Sequence, residues 1–128
     1  MKHESNLQRA VFQWLELHRI FAWRMPIGPV VHRKNTKHGL QEFWKKSPLK
    51  GFPDIAGVLR KKYPGVLFTL ELKSSQGRLM EEQVHWMTDL QAAGARCALI
   101  RSIEDLESVM VRWGEIPPRS NPVRVDES

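Results

Sequence analysis

The sequence holds one cysteine among 128 residues, one tyrosine, and no apolar run approaching the roughly 20 residues that span a bilayer. A lone Cys97 excludes an intrachain disulfide and a cysteine-based zinc cluster. A thiol kept in the apolar run 97–100 fits a reducing compartment, the cytoplasm of a bacterial or phage-infected cell or an equivalent DNA-containing compartment. Met1-Lys2-His3-Glu4 turns polar before any signal-like stretch, so a soluble protein with no membrane partner is expected. The length fits one globular core and leaves no room for two. Acidic residues are the minority, fourteen against twenty Lys and Arg, for a net charge of +6 and a pI near 9.8.

That excess is local. Residues 18–62 carry eleven Lys and Arg against only Glu42 and Asp54, a charge of +9, while the rest of the chain sums to −3. His18, His32 and His38 fall in the same stretch, and Phe43, Trp44 and Phe52 interleave with Lys45, Lys46 and Lys50. A solvated loop is the plain alternative, but cations mixed with stacking surfaces favour a nucleic acid.

Periodicity organises the chain around this segment. Leu7, Val11, Trp14, Leu15 and His18 recur at helical spacing, so a helix is expected over 5–19, with Ser5 and Gln8 as a capping box. A short strand is read at 20–23, ended by Pro26 and the Gly28-Pro29 breaker. Residues 26–52 show no clean period and are expected to be a functional loop, or short pieces with a strand at Val30-Val31. Two runs, 54–59 and 66–73, joined by a turn at Pro64-Gly65, predict a hairpin. Leu79, Gln83, Trp86, Met87, Leu90 and Ala93 share a helical face closed by Gly94. A buried strand at 97–100 and a final helix capped by Ser102 and Asp105 complete the order α-β-β-β-α-β-α. From Glu115 onward, Pro117, Pro118 and Pro122 give no packing pattern, so a domain over 1–114 and a disordered tail over 115–128 are expected.

Chemistry concentrates at the predicted hairpin. Asp54 follows Gly51-Phe52-Pro53 at the start of one strand, and Glu71 and Lys73, two apart and so on one face, end its partner. The two carboxylates therefore meet at one sheet edge beside an ammonium, a layout suited to Mg²⁺, which takes oxygen ligands at about 2.0–2.1 Å and usually one or two carboxylates. Each piece has a plainer reading: a turn Asp after Pro, a solvated Glu-x-Lys pair, and a Gln83 that merely caps its helix or bonds in the core. Glu4 reads either as a helix-dipole residue or as a member of the inward face of Gln8, Val11 and Leu15. His85 reads as a solvent-facing helix residue.

Taken together, Glu4, the Gly51-Phe52-Pro53-Asp54 segment, Glu71-Leu72-Lys73 and Gln83, in that order, resemble the VRR-NUC family of the PD-(D/E)xK nuclease superfamily over roughly residues 4–106. The Leu90-Gln91-Ala92-Ala93-Gly94 step into an apolar strand is similar too, while Met80 stands where the family commonly has a Ser or Thr helix cap. The resemblance implies a restriction-endonuclease-like α/β fold, a mixed central sheet flanked by helices. It implies catalytic roles for Asp54, Glu71, Lys73, Gln83 and Glu4, and a Mg²⁺ or Mn²⁺ site formed by Asp54, Glu71, the Leu72 carbonyl and Glu4. It further implies a structure-selective endonuclease similar to Holliday-junction resolvases, acting on branched DNA as a homodimer. Arg33, Lys34, Lys37, Lys45, Lys46 and Lys50 are the expected DNA contacts, and Phe43 and Trp44 the expected interface. A flap, nick or non-selective nuclease is the nearest alternative; a non-catalytic basic DNA-binding module is the other, against which the intact Asp54, Glu71 and Lys73 argue.

Overall fold

The computed structural model describes residues 2–26, 30–45 and 48–119, with side chains at those positions except 2–5, 30–32 and 43–45. In chain order the elements are α1 (Lys2–Leu17), β1 (Ala22–Arg24), β2 (Val30–Thr36), β3 (Gly39–Lys45), β4 (Ile55–Val58), β5 (Leu67–Leu72), α2 (Glu81–Ala92), β6 (Arg96–Ile100) and α3 (Ile103–Arg112). Four strands form one mixed sheet in the order β1-β4-β5-β6, antiparallel except for the parallel β5–β6 pair. Two strands more than expected are present, because β2 and β3 make a separate antiparallel hairpin where the sequence shows no period.

Alternation along β5 sorts the molecule into layers. Phe68, Leu70 and Leu72 face a core filled by Val11 and Leu15 of α1 and by Leu106, Val109, Met110 and Trp113 at α3. Thr69 and Glu71 point to the other face, where α2 lies: Gln83 bonds Glu71, and Cys97 donates to the Met87 carbonyl at 3.8 Å. Burial pushes the Cys97 thiol pKa up, so this cysteine behaves as a packing residue. Among the described residues no helix is long and apolar enough to cross a membrane.

The helix ends show which local signals prevail. α1 begins at Lys2, so Ser5 lies inside the helix and the expected Ser5–Gln8 capping box does not form; Lys2 and Glu4 are good helix formers and extend the first turn. Its C-terminus closes on Arg19, a left-handed residue (φ 55) whose N–H reaches the Glu16 carbonyl while Ile20 N–H reaches Leu15. The same pair of bonds closes α2 at Gly94, as the sequence predicts. Ser102 caps α3 by accepting from the Asp105 N–H. Glu115, expected in an unpacked tail, is instead buried, and its carboxylate accepts from the backbone N–H groups of Arg60 and Lys61 at 3.0–3.2 Å, while Ile116 packs against the core. The partner of that carboxylate is a turn far away in sequence, which no local pattern could announce.

Candidate active site

Strand register brings the acidic residues together. Ile55 pairs with Leu70, so one residue outward Asp54 stands across from Glu71 on the opposite face from the core. Just before the start of β4 the ladder closes on a side chain: Asp54 Oδ2 accepts from the Leu72 N–H at 2.8 Å, while the Asp54 carbonyl accepts from Met25 N–H, also at 2.8 Å. The preceding turn is seated on α2. Trp86 Nε1–H donates to the Lys50 carbonyl at 3.0 Å, Phe52 meets the Trp86 ring edge-on, and Lys50 Nζ lies 3.5 Å from a Glu82 carboxylate oxygen. Gly51 is required there. It has φ +85, and a Cβ would stand 2.7 Å from Glu82 Cβ and 2.9 Å from its backbone carbon. The Gly-x-Pro-Asp spacing is thus a packing requirement that fixes where Asp54 sits.

Glu71 is buried, with 2% of its surface exposed. One oxygen, Oε2, accepts from Gln83 Nε2 at 2.8 Å and lies 3.8 Å from Lys73 Nζ; the other, Oε1, has no hydrogen-bond partner among the described residues. Burial, reinforced by the neighbouring Asp54 carboxylate and opposed by Lys73, raises its pKa from 4.5 to about 8. Gln83 is fixed at both ends, because its Oε1 accepts from the Met80 N–H at 2.8 Å. Met80 has no side-chain oxygen to offer in return, so this single bond replaces the missing Ser or Thr cap and orients the amide toward Glu71.

Asp54, Glu71, Leu72, Lys73, Gln83 and Gln8 line one polar cleft of about 170 Å³. Gln8 belongs to the lining rather than to a cap; its place on the inward face of α1 was the available signal. A larger groove of about 730 Å³, lined by Ala10, Gln13, Trp14, Glu16, Leu17 and Ile103, is mostly apolar and brings no second carboxylate to Glu16. Among the described residues no group of three or more His, Cys, Asp or Glu side chains gathers at one point. The side chain of Glu4 lies outside the described residues; its backbone is in the first turn of α1, one turn before Gln8.

Sequence reading passed over Arg101. Its Nη1 donates to the Ser74 carbonyl at 2.6 Å and to the Gly77 carbonyl at 2.7 Å, clamping the turn that follows Lys73, and its own N–H is held by Asp105 at 2.9 Å. Gly77 in that turn lies flush on the Lys73 stem, 3.2 Å from Cδ for a Cβ placed there. No spacing rule links positions 74, 77 and 101.

Of the expected DNA contacts, Arg33, Lys34 and Lys37 share the β2–β3 hairpin and are exposed, whereas Lys50 stands apart beside α2. Arg33 Nε is engaged by Glu42 at 2.9 Å. Lys46 and the side chains of Phe43, Trp44 and Lys45 lie outside the described residues.

No curated protein and no solved structure matches this chain. The VRR-NUC domain model does, over residues 2–104. That span runs from the first turn of α1 into the first turn of α3 and so takes in the whole mixed sheet and every residue of the polar cleft. The chain belongs to the VRR-NUC domain family, and its activity is that of a nuclease, a hydrolase whose partner is DNA.

Proposed function

We propose that the chain is a divalent-cation-dependent DNA endonuclease, that Asp54, Glu71 and Lys73 carry the chemistry, and that its substrate is branched DNA, a four-way junction cut by a homodimer. The observation that carries this reading is the buried Glu71 Oε1, left without a hydrogen bond among the described residues, beside the Asp54 carboxylate. Two carboxylates packed together in a polar cleft call for a cation. The donor set fits Mg²⁺ or Mn²⁺: hard oxygens from Asp54 and Glu71, which line the cleft with Leu72, whose carbonyl would be a third ligand; Glu4, whose side chain lies outside the described residues, would be a fourth. When bound there, the cation supplies positive charge to the scissile phosphate and lowers the pKa of the attacking water.

The chain's own residues do the rest. Gln83 holds Glu71 by one oxygen, and the Leu72 N–H holds Asp54 by Oδ2, so neither carboxylate is free to turn away from the cleft. Lys73, packed along its stem, presents an ammonium that orients water or neutralises charge gathering on the phosphate as the water oxygen bonds to phosphorus and one ester oxygen leaves. The dimer follows from the proposed substrate: a junction offers two equivalent strands, and an isologous dimer would offer two cleavage centres with matching symmetry.

The test is cleavage of labelled four-way junction, flap, single strand and duplex with Mg²⁺, Mn²⁺ or EDTA. Metal-dependent cutting of the junction in preference to the others is expected, and Asp54→Asn or Glu71→Gln should reduce it by on the order of 10³-fold while leaving DNA binding intact. Undiminished cutting in EDTA, or by either variant, overturns the site. Equal cutting of flap and junction overturns the substrate alone.

A further inference from the structure

Among the described residues the β2–β3 hairpin shares no hydrogen-bonded ladder with the four-stranded sheet, and no other element packs closely against it. Residues 33–35 and 37–42 are all exposed, Leu40 by 61%. An isolated two-stranded ribbon is marginal in water unless something covers it. Its tip is nonetheless set. Thr36 Oγ1 donates to the Gly39 carbonyl at 2.8 Å and accepts from His38 N–H at 3.2 Å, and Gly39 takes the left-handed turn at φ +106.

The chain on either side of the ribbon is fixed at the acidic edge. Met25, five residues before the first of β2, donates its N–H to the Asp54 carbonyl, and β1 is paired to β4 through Arg24 and Ile55. The residues after it lead into the turn at Lys50 and Gly51 that is seated on α2 and delivers Asp54. With seven residues in each strand, the ribbon is roughly 20 Å long.

Its two sides differ in charge. Arg33 and Glu42 are cross-strand partners and cancel, on the side shared with Asn35 and Leu40. Among the described side chains Lys34 and Gln41 pair on the other side, and the tip adds Lys37 and His38. One side is therefore neutral and the other cationic with an amide, complementary to a polyanion.

We propose that this ribbon lies in the major groove of a duplex arm beside the scissile phosphate, with the Lys34–Gln41 side and the Lys37–His38 tip against DNA and the Arg33–Glu42 side outward. A major groove about 12 Å wide admits a two-stranded ribbon. The inference rests on the acidic edge being where DNA is cut, and it narrows the substrate to DNA with roughly six base pairs of unbroken duplex flanking the cut on the ribbon side, at about 3.4 Å per pair.

Dimethyl sulfate reactivity at guanine N7, which faces the major groove, tests it in the full-length Asp54→Asn chain bound to junctions whose arms are shortened stepwise. Protection within about six base pairs of the branch, and binding that falls sharply below that arm length, are expected. Lys34→Gln with Lys37→Gln should abolish the protection and reduce the slope of log affinity against log salt by about 1 to 2. Lys61→Gln with Arg112→Gln, an equal charge loss at exposed sites off the ribbon, should leave the protection in place. Reactive N7 atoms throughout the arm, or an unchanged footprint in the ribbon variant, overturn the proposal. If the parental protein cuts no DNA, the nuclease reading falls, and the footprint still decides where the ribbon lies.

Discussion

At the residue scale, Glu71 concentrates the conflict in this fold. A carboxyl is buried next to a second carboxylate, with one ammonium and one amide to offset them, and its pKa stands at about 8 against 4.5 in an exposed chain. The folded protein therefore keeps a proton that the unfolded chain has released, and stability falls as pH rises from about 4.5 through about 8. At about 1.4 kcal/mol for each tenfold change in proton affinity, the loss is of the order of a few kcal/mol in the metal-free protein. Urea unfolding in EDTA at pH 5.5, 7 and 8.5 should show this decline, and Glu71→Gln should flatten it. A stability that instead climbs toward pH 8.5 would mean that Glu71 is ionised throughout. Because cation binding must displace that proton, Mg²⁺ should stabilise the parental chain more at pH 8.5 than at pH 5.5. The pairing of Asp54 with Glu71 was legible in the sequence, since a hairpin and a two-residue period place both on one face. The orphaned Oε1 was not, because it depends on how Gln83 is turned.

Legibility at the element scale follows burial. α3 buries Leu106, Val109 and Met110 and α2 half-buries Gln83, Trp86, Met87 and Leu90, which leaves a period of three to four, whereas β4 and β5 are buried on both faces and read as short apolar runs. Of the β2–β3 ribbon's described side chains, 33–35 and 37–42 are exposed, and 26–52 read as a loop because no buried face there imposes a period. The turn after Lys73 also escaped the sequence, because Arg101, directly after β6, organises it through the Ser74 and Gly77 carbonyls. That clamp makes a prediction about an element. Arg101→Ala frees the Ser74 and Gly77 carbonyls, loosens the turn over the Lys73 stem and should lower kcat about 10- to 100-fold with little change in DNA affinity, as expected when a positioning contact is lost. Stability should fall by about 1–3 kcal/mol as a charged donor leaves two carbonyls unpaired. Guanidinium added to Arg101→Ala should restore part of the rate, whereas it should do nothing for Lys73→Ala. An Arg101→Ala protein with parental kcat, or one that loses DNA affinity in step with rate, would make the clamp irrelevant to Lys73.

At the scale of the whole molecule, the acidic cleft proposed as the active site would serve one strand at a time. Resolving a junction needs two incisions in strands related by a two-fold axis, made before the complex dissociates. A monomer releases a nicked junction; a dimer releases two duplexes. Mixed dimers separate these cases. If parental chains and Asp54→Asn chains are combined and allowed to exchange at equal concentration, about half of the dimers carry one active centre, as random pairing in a two-fold assembly requires. On a supercoiled plasmid that extrudes a cruciform, parental dimers should give linear product and mixed dimers nicked circles. The ratio of nicked to linear DNA should then rise with the Asp54→Asn fraction, although that variant makes no cut itself. Light scattering of the Asp54→Asn protein bound to a junction should give two chains per DNA. A mass of one chain per junction, or a nicked fraction indifferent to the inactive partner, would leave a monomeric nuclease that reaches its second strand only by rebinding.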